Sequence, residues 1–155
     1  MAEDFAITLN PVLNTVDAET VRIHRNACRE FMTRNTDYIS AHEQTKWFNS
    51  LDKHSHHLLL LNKIHYGAAV EDIGYGYIRI EKDEVLLTGG ITSNERGKGY
   101  GFFLFERLVI NSLKYGLPIR LEVLKTNAAG IATYKKIGFT IIDEDERIYR
   151  MEYNV

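Results

Sequence analysis

The chain has 155 residues, 45% hydrophobic and 26% charged, the make-up of an ordinary globular protein, and a single domain over 1–155 is the simplest expectation. A formal net charge of −2 gives no general attraction to nucleic acid or to an anionic membrane, so neither is expected as a partner. Cys28 is the single cysteine and excludes an internal disulfide, MAEDFAITLNPV lacks the basic and apolar regions of a secretory leader, and no apolar run, that of residues 58–61 included, exceeds four residues, which makes a cytoplasmic location the default.

No Pro- or Gly/Ser-rich linker divides the chain, and no internal repeat is visible. FAITLN (5–10) reads as a first strand. Asp17 is placed to cap a helix over VRIHRNACREFM, where Val21, Ile23, Cys28, Phe31 and Met32 supply an apolar stripe. Ser40 and Glu43 have capping-box spacing and open a second helix through Trp47, Phe48 and Leu51. HHLLLLNK (56–63) reads as a buried strand. IGYGYIRIE (73–81) alternates Ile73, Tyr75, Tyr77 and Arg79 against Gly74, Gly76, Ile78 and Ile80, as an antiparallel strand does. Lys82, Asp83 and Glu84 form a solvated hairpin tip before the return strand 84–92. Gly89 and Gly90 inside that strand predict a bulge.

YGFFLFERLVINSLKYG predicts a helix ended at Gly116, followed by the strand PIRLEVL (118–124). NAAGIATYKKIG (127–138) is a helix stopped by Gly138, and FTIIDEDERIYRMEYNV gives two strands around the acidic turn 143–146. The order β, α, α, β, β, β, α, β, α, β, β is that of a mixed α/β fold with a crossover helix on each side of a central strand.

NERGKGYGFF (94–103) places Gly97, Gly99 and Gly101 beside Arg96 and Lys98, which suits an anion at a helix N-terminus. A nucleotide P-loop requires Ser or Thr after the lysine, and here Gly99 follows Lys98. A dinucleotide fingerprint requires glycine at 102, which is Phe. What remains is R-x-x-G-x-G (Arg96, Gly99, Gly101), with N-x₆-Y-x₃-G-F (Asn127, Tyr134, Gly138, Phe139) about thirty residues on.

Together these motifs resemble the GNAT (GCN5-related) N-acetyltransferase superfamily, with a weaker likeness to its nucleotide-amino-sugar N-acetyltransferases. The resemblance implies a mostly antiparallel central sheet of about seven strands flanked by about four helices. It also implies acetyl transfer from acetyl-CoA to a primary amine of a small molecule, by direct attack through a tetrahedral intermediate. By position, Arg96, Gly97, Lys98, Gly99, Tyr100 and Gly101 correspond to the pyrophosphate loop, and the backbone of Ile91 and Ser93 to the pantetheine contacts. A bulge at Gly89-Gly90 would turn an amide toward the oxyanion. Tyr134 corresponds to the tyrosine facing the CoA sulfur, and Asn127 to a helix cap that also meets CoA. Gly130 stands where the family usually has alanine.

Free tyrosine has a pKa of ~10 and a thiol ~8.5, so full proton transfer from Tyr134 is uphill by roughly 2 kcal/mol. Hydrogen bonding to the departing thiolate serves equally well. On the acceptor side Arg25 is placed for a phosphate, and Met32 and Trp47 for a base or sugar. Peptide amino groups and aminoglycosides stay open, whereas polyamines call for a more acidic pair of helices. No general base is assigned; Glu71 and Asp72 are candidates to border the cleft. His54, His56 and His57 have no companion ligand at a recognisable spacing, so no metal is expected. Cys28 sits in a helix stripe far in sequence from the motifs and suits no covalent relay. A non-catalytic acyl-CoA-binding or sensing module is the competing reading. A homodimer through IYRMEYNV as an edge strand is the remaining expectation.

Overall fold

The computed structural model describes residues 5–66 and 69–155. Among them seven strands form one sheet in the order β1-β2-β3-β4-β5-β7-β6, with four α-helices. The elements are β1 (Phe5–Pro11), α1 (Thr15–Ala27), α2 (Ala41–Ser50), β2 (His56–His65), β3 (Val70–Ile80), β4 (Val85–Ile91), α3 (Tyr100–Ser112), β5 (Ile119–Leu124), α4 (Ala128–Ile137), β6 (Phe139–Glu144) and β7 (Ile148–Tyr153). Every neighbouring pair is antiparallel except β4 and β5. The fold class, strand number and helix number read from the sequence are those found.

Both sheet faces are covered by helices. On one face α1 and α2 bury Val12, Ala18, Val21 and Phe48 against Leu58, Leu60 and Tyr75. On the other, Leu104, Phe105 and Leu108 of α3 join Leu59, Leu61, Ile78, Leu87, Leu121 and Met151, with Ile131 and Tyr134 of α4 packed alongside. The alternation of Leu58/Leu60 with Leu59/Leu61 explains why β2 carries an unbroken leucine run: it feeds two cores.

Local sequence accounts for most boundaries. Ser40 and Glu43 form a complete capping box at α2. Gly116 (φ 65°) and Gly138 (φ 127°) take the left-handed conformation that ends the preceding helices. Asp17 is not the cap of α1. Asn14 accepts from the Asp17 amide at 2.8 Å, so the helix begins earlier and leaves Asp17 to meet the positive helix end. The helix also stops at Cys28, and Phe31 lies in a separate 3₁₀ turn, Arg29–Phe31.

Four further expectations are corrected. Gly89 and Gly90 pair with Gly76 and Tyr75 in an unbroken register, so no bulge lies there. These glycines serve close packing: a Cβ at Gly90 would stand 2.8 Å from the Cys28 Sγ, and one at Gly89 would stand 3.0 Å from Leu104. Register shifts fall elsewhere, at Ile141/Asp143 between β6 and β7 and at Leu61/Asn62 between β2 and β3, and the latter moves Ile73 away from the Tyr75 face into the α3 core. β7 is an inner strand between β5 and β6, so the terminal segment is no edge. Finally, Glu84 is not solvated: its Oε1 bonds Arg120 at 3.1 Å and Arg150 at 2.8 Å.

Candidate active site

β4 and β5 run parallel but pair only at Val85/Ile119 and Leu86/Arg120. Beyond those two rungs they part, and a crevice opens at their carboxyl ends, where open α/β sheets hold ligands. The Val85 amide donates across to Pro118 and the Leu86/Arg120 rung takes up the Leu87 amide, so strand alternation turns the amides of Gly89 and Ile91 toward the crevice. Gly89, not Gly90, therefore offers its N–H to the opening.

The glycine loop stands at the end of β4. Gly97 (φ 76°) and Gly99 (φ 87°) are both left-handed, and a Cβ at 97, 99 or 101 would meet nothing within 4 Å. Gly99 is the N-cap of α3 and supplies no side chain. The consequence is a run of six backbone amides, Gly97 through Phe102, with no acceptor among the described residues; the first turn closes only at Phe103, which donates to the Gly99 carbonyl at 3.2 Å. A row of outward N–H groups on the positive end of a helix dipole is an anion site. Asn14, Ser40 and Asn127 cap the other three α-helices with their side chains.

Arg96 faces away from the loop. Its Nε donates to the Ile91 carbonyl at 2.9 Å, its Nη2 lies 3.5 Å from the Cys28 Sγ, and its guanidinium covers the Phe31 ring at 4.9 Å. The arginine thus ties the loop to the end of α1. Cys28, remote in sequence, is next to the loop in space; burial pushes its thiol pKa up against the opposing pull of Arg96. The Ile91 carbonyl is occupied by Arg96, which leaves the Ile91 amide for the crevice. Ser93 opens the 3₁₀ turn Ser93–Glu95, and Tyr100 lays its ring edge-on to Phe5 at 6.5 Å.

Asn127 caps α4 by accepting from the Gly130 amide at 3.0 Å. A Cβ at 130 would come within 2.6 Å of that side chain, which gives the glycine there a local reason. One turn on, Tyr134 packs edge-on to Phe105 at 4.7 Å and to Phe139 at 6.2 Å. Its hydroxyl bonds no described residue. Burial raises its pKa well above the ordinary phenol value, so it is a hydrogen-bond donor over the whole working range of pH. Across the sheet Tyr75 is 3% exposed, its hydroxyl 3.9 Å from the Met32 Sδ. Burial raises its pKa too, with a smaller push from the Cys28 thiol against the opposing pull of Arg25.

A cleft of about 670 Å³ opens between the end of α1, the β5–α4 junction and the β6–β7 turn. Its charged lining is Arg29, Glu30, Lys125, Glu146 and Arg147, with Met32 and Thr36 beside them. Of the acceptor residues read from the sequence, Met32 lines this cleft and the other two lie outside it. Arg25 donates to the carbonyls of Asn35 and Asp37 and so holds the loop after α1. Trp47 stacks edge-on to Tyr77 at 5.8 Å. Glu71 and Asp72 also lie outside the lining: Glu71 is 3.5 Å from His65, and Asp72 bonds Asn62. His56 bonds the Tyr77 hydroxyl, and His57 meets Tyr115 at 3.3 Å.

No protein-family model and no curated protein sequence matches the chain. Solved structures match it over nearly its full length. Spermidine N-acetyltransferase from Vibrio cholerae, in complex with CoA and spermine, is 19% identical with a TM-score of 0.77, over 94% of each chain. N-acetyltransferase PseH from Campylobacter jejuni is 22% identical with a TM-score of 0.67, over 96% of this chain and 97% of its own. An acetyltransferase of the GNAT family from Streptococcus pneumoniae is 18% identical with a TM-score of 0.69, over 96% of this chain and 100% of its own. The fold is that of the GNAT acetyltransferases, as the two motifs imply.

Proposed function

We propose that this chain is an acetyl-CoA-dependent N-acetyltransferase acting on a primary amine of a small molecule. The observation that carries the reading is the row of six amides at the start of α3 that have no partner among the described residues, set beside the parting of β4 and β5. A neutral amine attacks the thioester carbonyl of acetyl-CoA: the amide C–N bond forms, the C–S bond breaks, CoA leaves as its thiolate and the amine gives up one proton.

The amides of residues 97–102 bind a pyrophosphate, and the absence of side chains at Gly97, Gly99 and Gly101 lets the backbone approach it. The outward amides of Gly89 and Ile91 pair with an extended amide-containing arm as an added strand does. The Gly89 amide is also the group aimed at a carbonyl oxygen in the crevice. Tyr134 holds a hydrogen bond to the leaving sulfur. Its raised pKa makes complete proton transfer harder than for a free phenol, which favours stabilisation of the thiolate over its outright protonation.

The acceptor enters from the α1 side. A cleft that sets Arg29, Lys125 and Arg147 beside Glu30 and Glu146 suits a molecule carrying both an amine and an anion. This supports an amino-sugar nucleotide over a polyamine, which has no anion to match. Melting curves with acetyl-CoA, ATP and NAD test the cofactor: saturation at about 100 times Kd adds about 2.7 kcal/mol of stability for acetyl-CoA alone. Thiol release with a panel of amines, amino-sugar nucleotides included, then tests the transfer. Stabilisation without release for any amine contradicts the enzymatic reading.

A further inference from the structure

A buried lysine lies under the glycine loop. Lys63 interrupts the apolar run of β2 and is 7% exposed. Its ammonium sits 4.5 Å from the centre of the Phe5 ring, 5.7 Å from that of Tyr100, and 3.7 Å from the Glu95 Oε2. Glu95 is itself buried and is the last residue of the turn before Arg96. Lys98, from the tip of the loop, bonds the same Oε2 at 3.2 Å while half of its side chain stays exposed. One carboxylate oxygen is thus shared by two ammonium groups. One is boxed between aromatic rings, and the other is free to swing.

A buried carboxylate without a cation is strongly unfavourable, and beside a row of amides it also repels the anion they attract. If Lys98 were its sole partner, turning that lysine to a ligand would strand the charge. We propose that Lys63 is a positioning residue that keeps Glu95 neutralised, so that Lys98 is released to a phosphate of the cofactor. The inference rests on the acetyl-CoA reading above. It makes the two lysines energetically coupled through Glu95, whereas a merely structural Lys63 acts independently of Lys98.

The test is acetyl-CoA affinity by calorimetry for the wild type, Lys63→Met, Lys98→Met, the double variant and Lys63→Met/Glu95→Gln. Each lysine variant weakens binding roughly tenfold, the loss of one charge-assisted contact. The double variant binds no more than about threefold more weakly than either single one. Glu95→Gln in the Lys63→Met background restores affinity to within about threefold of wild type, and kcat at saturating acetyl-CoA is unchanged in Lys63→Met. Additive losses, or no rescue by Glu95→Gln, overturn the inference while wild-type binding leaves the acetyl-CoA reading intact. Absence of wild-type binding overturns both. Glu95→Gln alone removes no lysine and serves if Lys63→Met does not fold; it tightens acetyl-CoA binding, and a weakened affinity overturns the inference.

Discussion

Two helices start at the carboxyl ends of the two parting parallel strands, and they start differently. α4 follows β5 and is closed by Asn127, whose side chain takes the Gly130 amide. α3 follows β4 and begins at Gly99, leaving six amides with no partner among the described residues. A side-chain cap satisfies a helix from within, and a glycine cap leaves it to be satisfied by a ligand. Under the proposed function the difference gives the anion to α3, while α4 contributes Tyr134 about two turns beyond its cap.

The largest effect that tests this division belongs to Tyr134→Phe. If α4 serves the leaving group and α3 the cofactor, kcat falls about 10²-fold while the acetyl-CoA KM holds within about twofold. Parallel losses in both would merge the two roles. Next comes the loop. Gly99→Ala forces a Cβ into φ 87°, at a cost of about 1–2 kcal/mol. Acetyl-CoA affinity then falls about tenfold. Gly101→Ala sits in helical backbone with open space around it, so its melting temperature is expected to stay level or rise.

Asn127→Ala removes a cap and lowers stability by about 1 kcal/mol, read from melting curves, with a smaller change in acetyl-CoA affinity. An affinity loss matching that of Gly99→Ala would make both helix starts part of the anion site. The smallest effect lies away from both. Burial holds the His24 imidazole below its ordinary pKa against a weaker opposing pull from Asp72. The unfolded chain therefore takes up this proton first, and stability is lost as pH falls below about 6.5. His24→Gln is expected to flatten the stability profile between about pH 7 and 5.

What the sequence revealed and what it hid divide along the same line. Gly99, Gly101 and Ser40 act through the backbone they belong to, so their spacing pointed to them, whereas Tyr134 was singled out by the family resemblance of its motif. The bulge expected at Gly89-Gly90 failed because a strand glycine has two causes, and here the room is taken by Cys28 and Leu104. The terminal strand was misplaced because chain order does not fix sheet order: β7 enters between β5 and β6. Cys28 beside Arg96, Glu84 between two arginines and Lys63 under the loop all depend on partners 32 to 68 residues away. Only Lys63 left a trace, as a charge inside an otherwise buried strand. The cleft proposed for the acceptor, assembled from three separated segments, left none beyond Met32.

The central claim is that the amides opening α3 receive the cofactor's anion. Amide ¹H–¹⁵N spectra during titration with acetyl-CoA address it directly. The account predicts that the amides of residues 97–102 move most and become protected from exchange, while that of Gly130, already bonded to Asn127, moves little. Binding of acetyl-CoA with those six amides unchanged would contradict it.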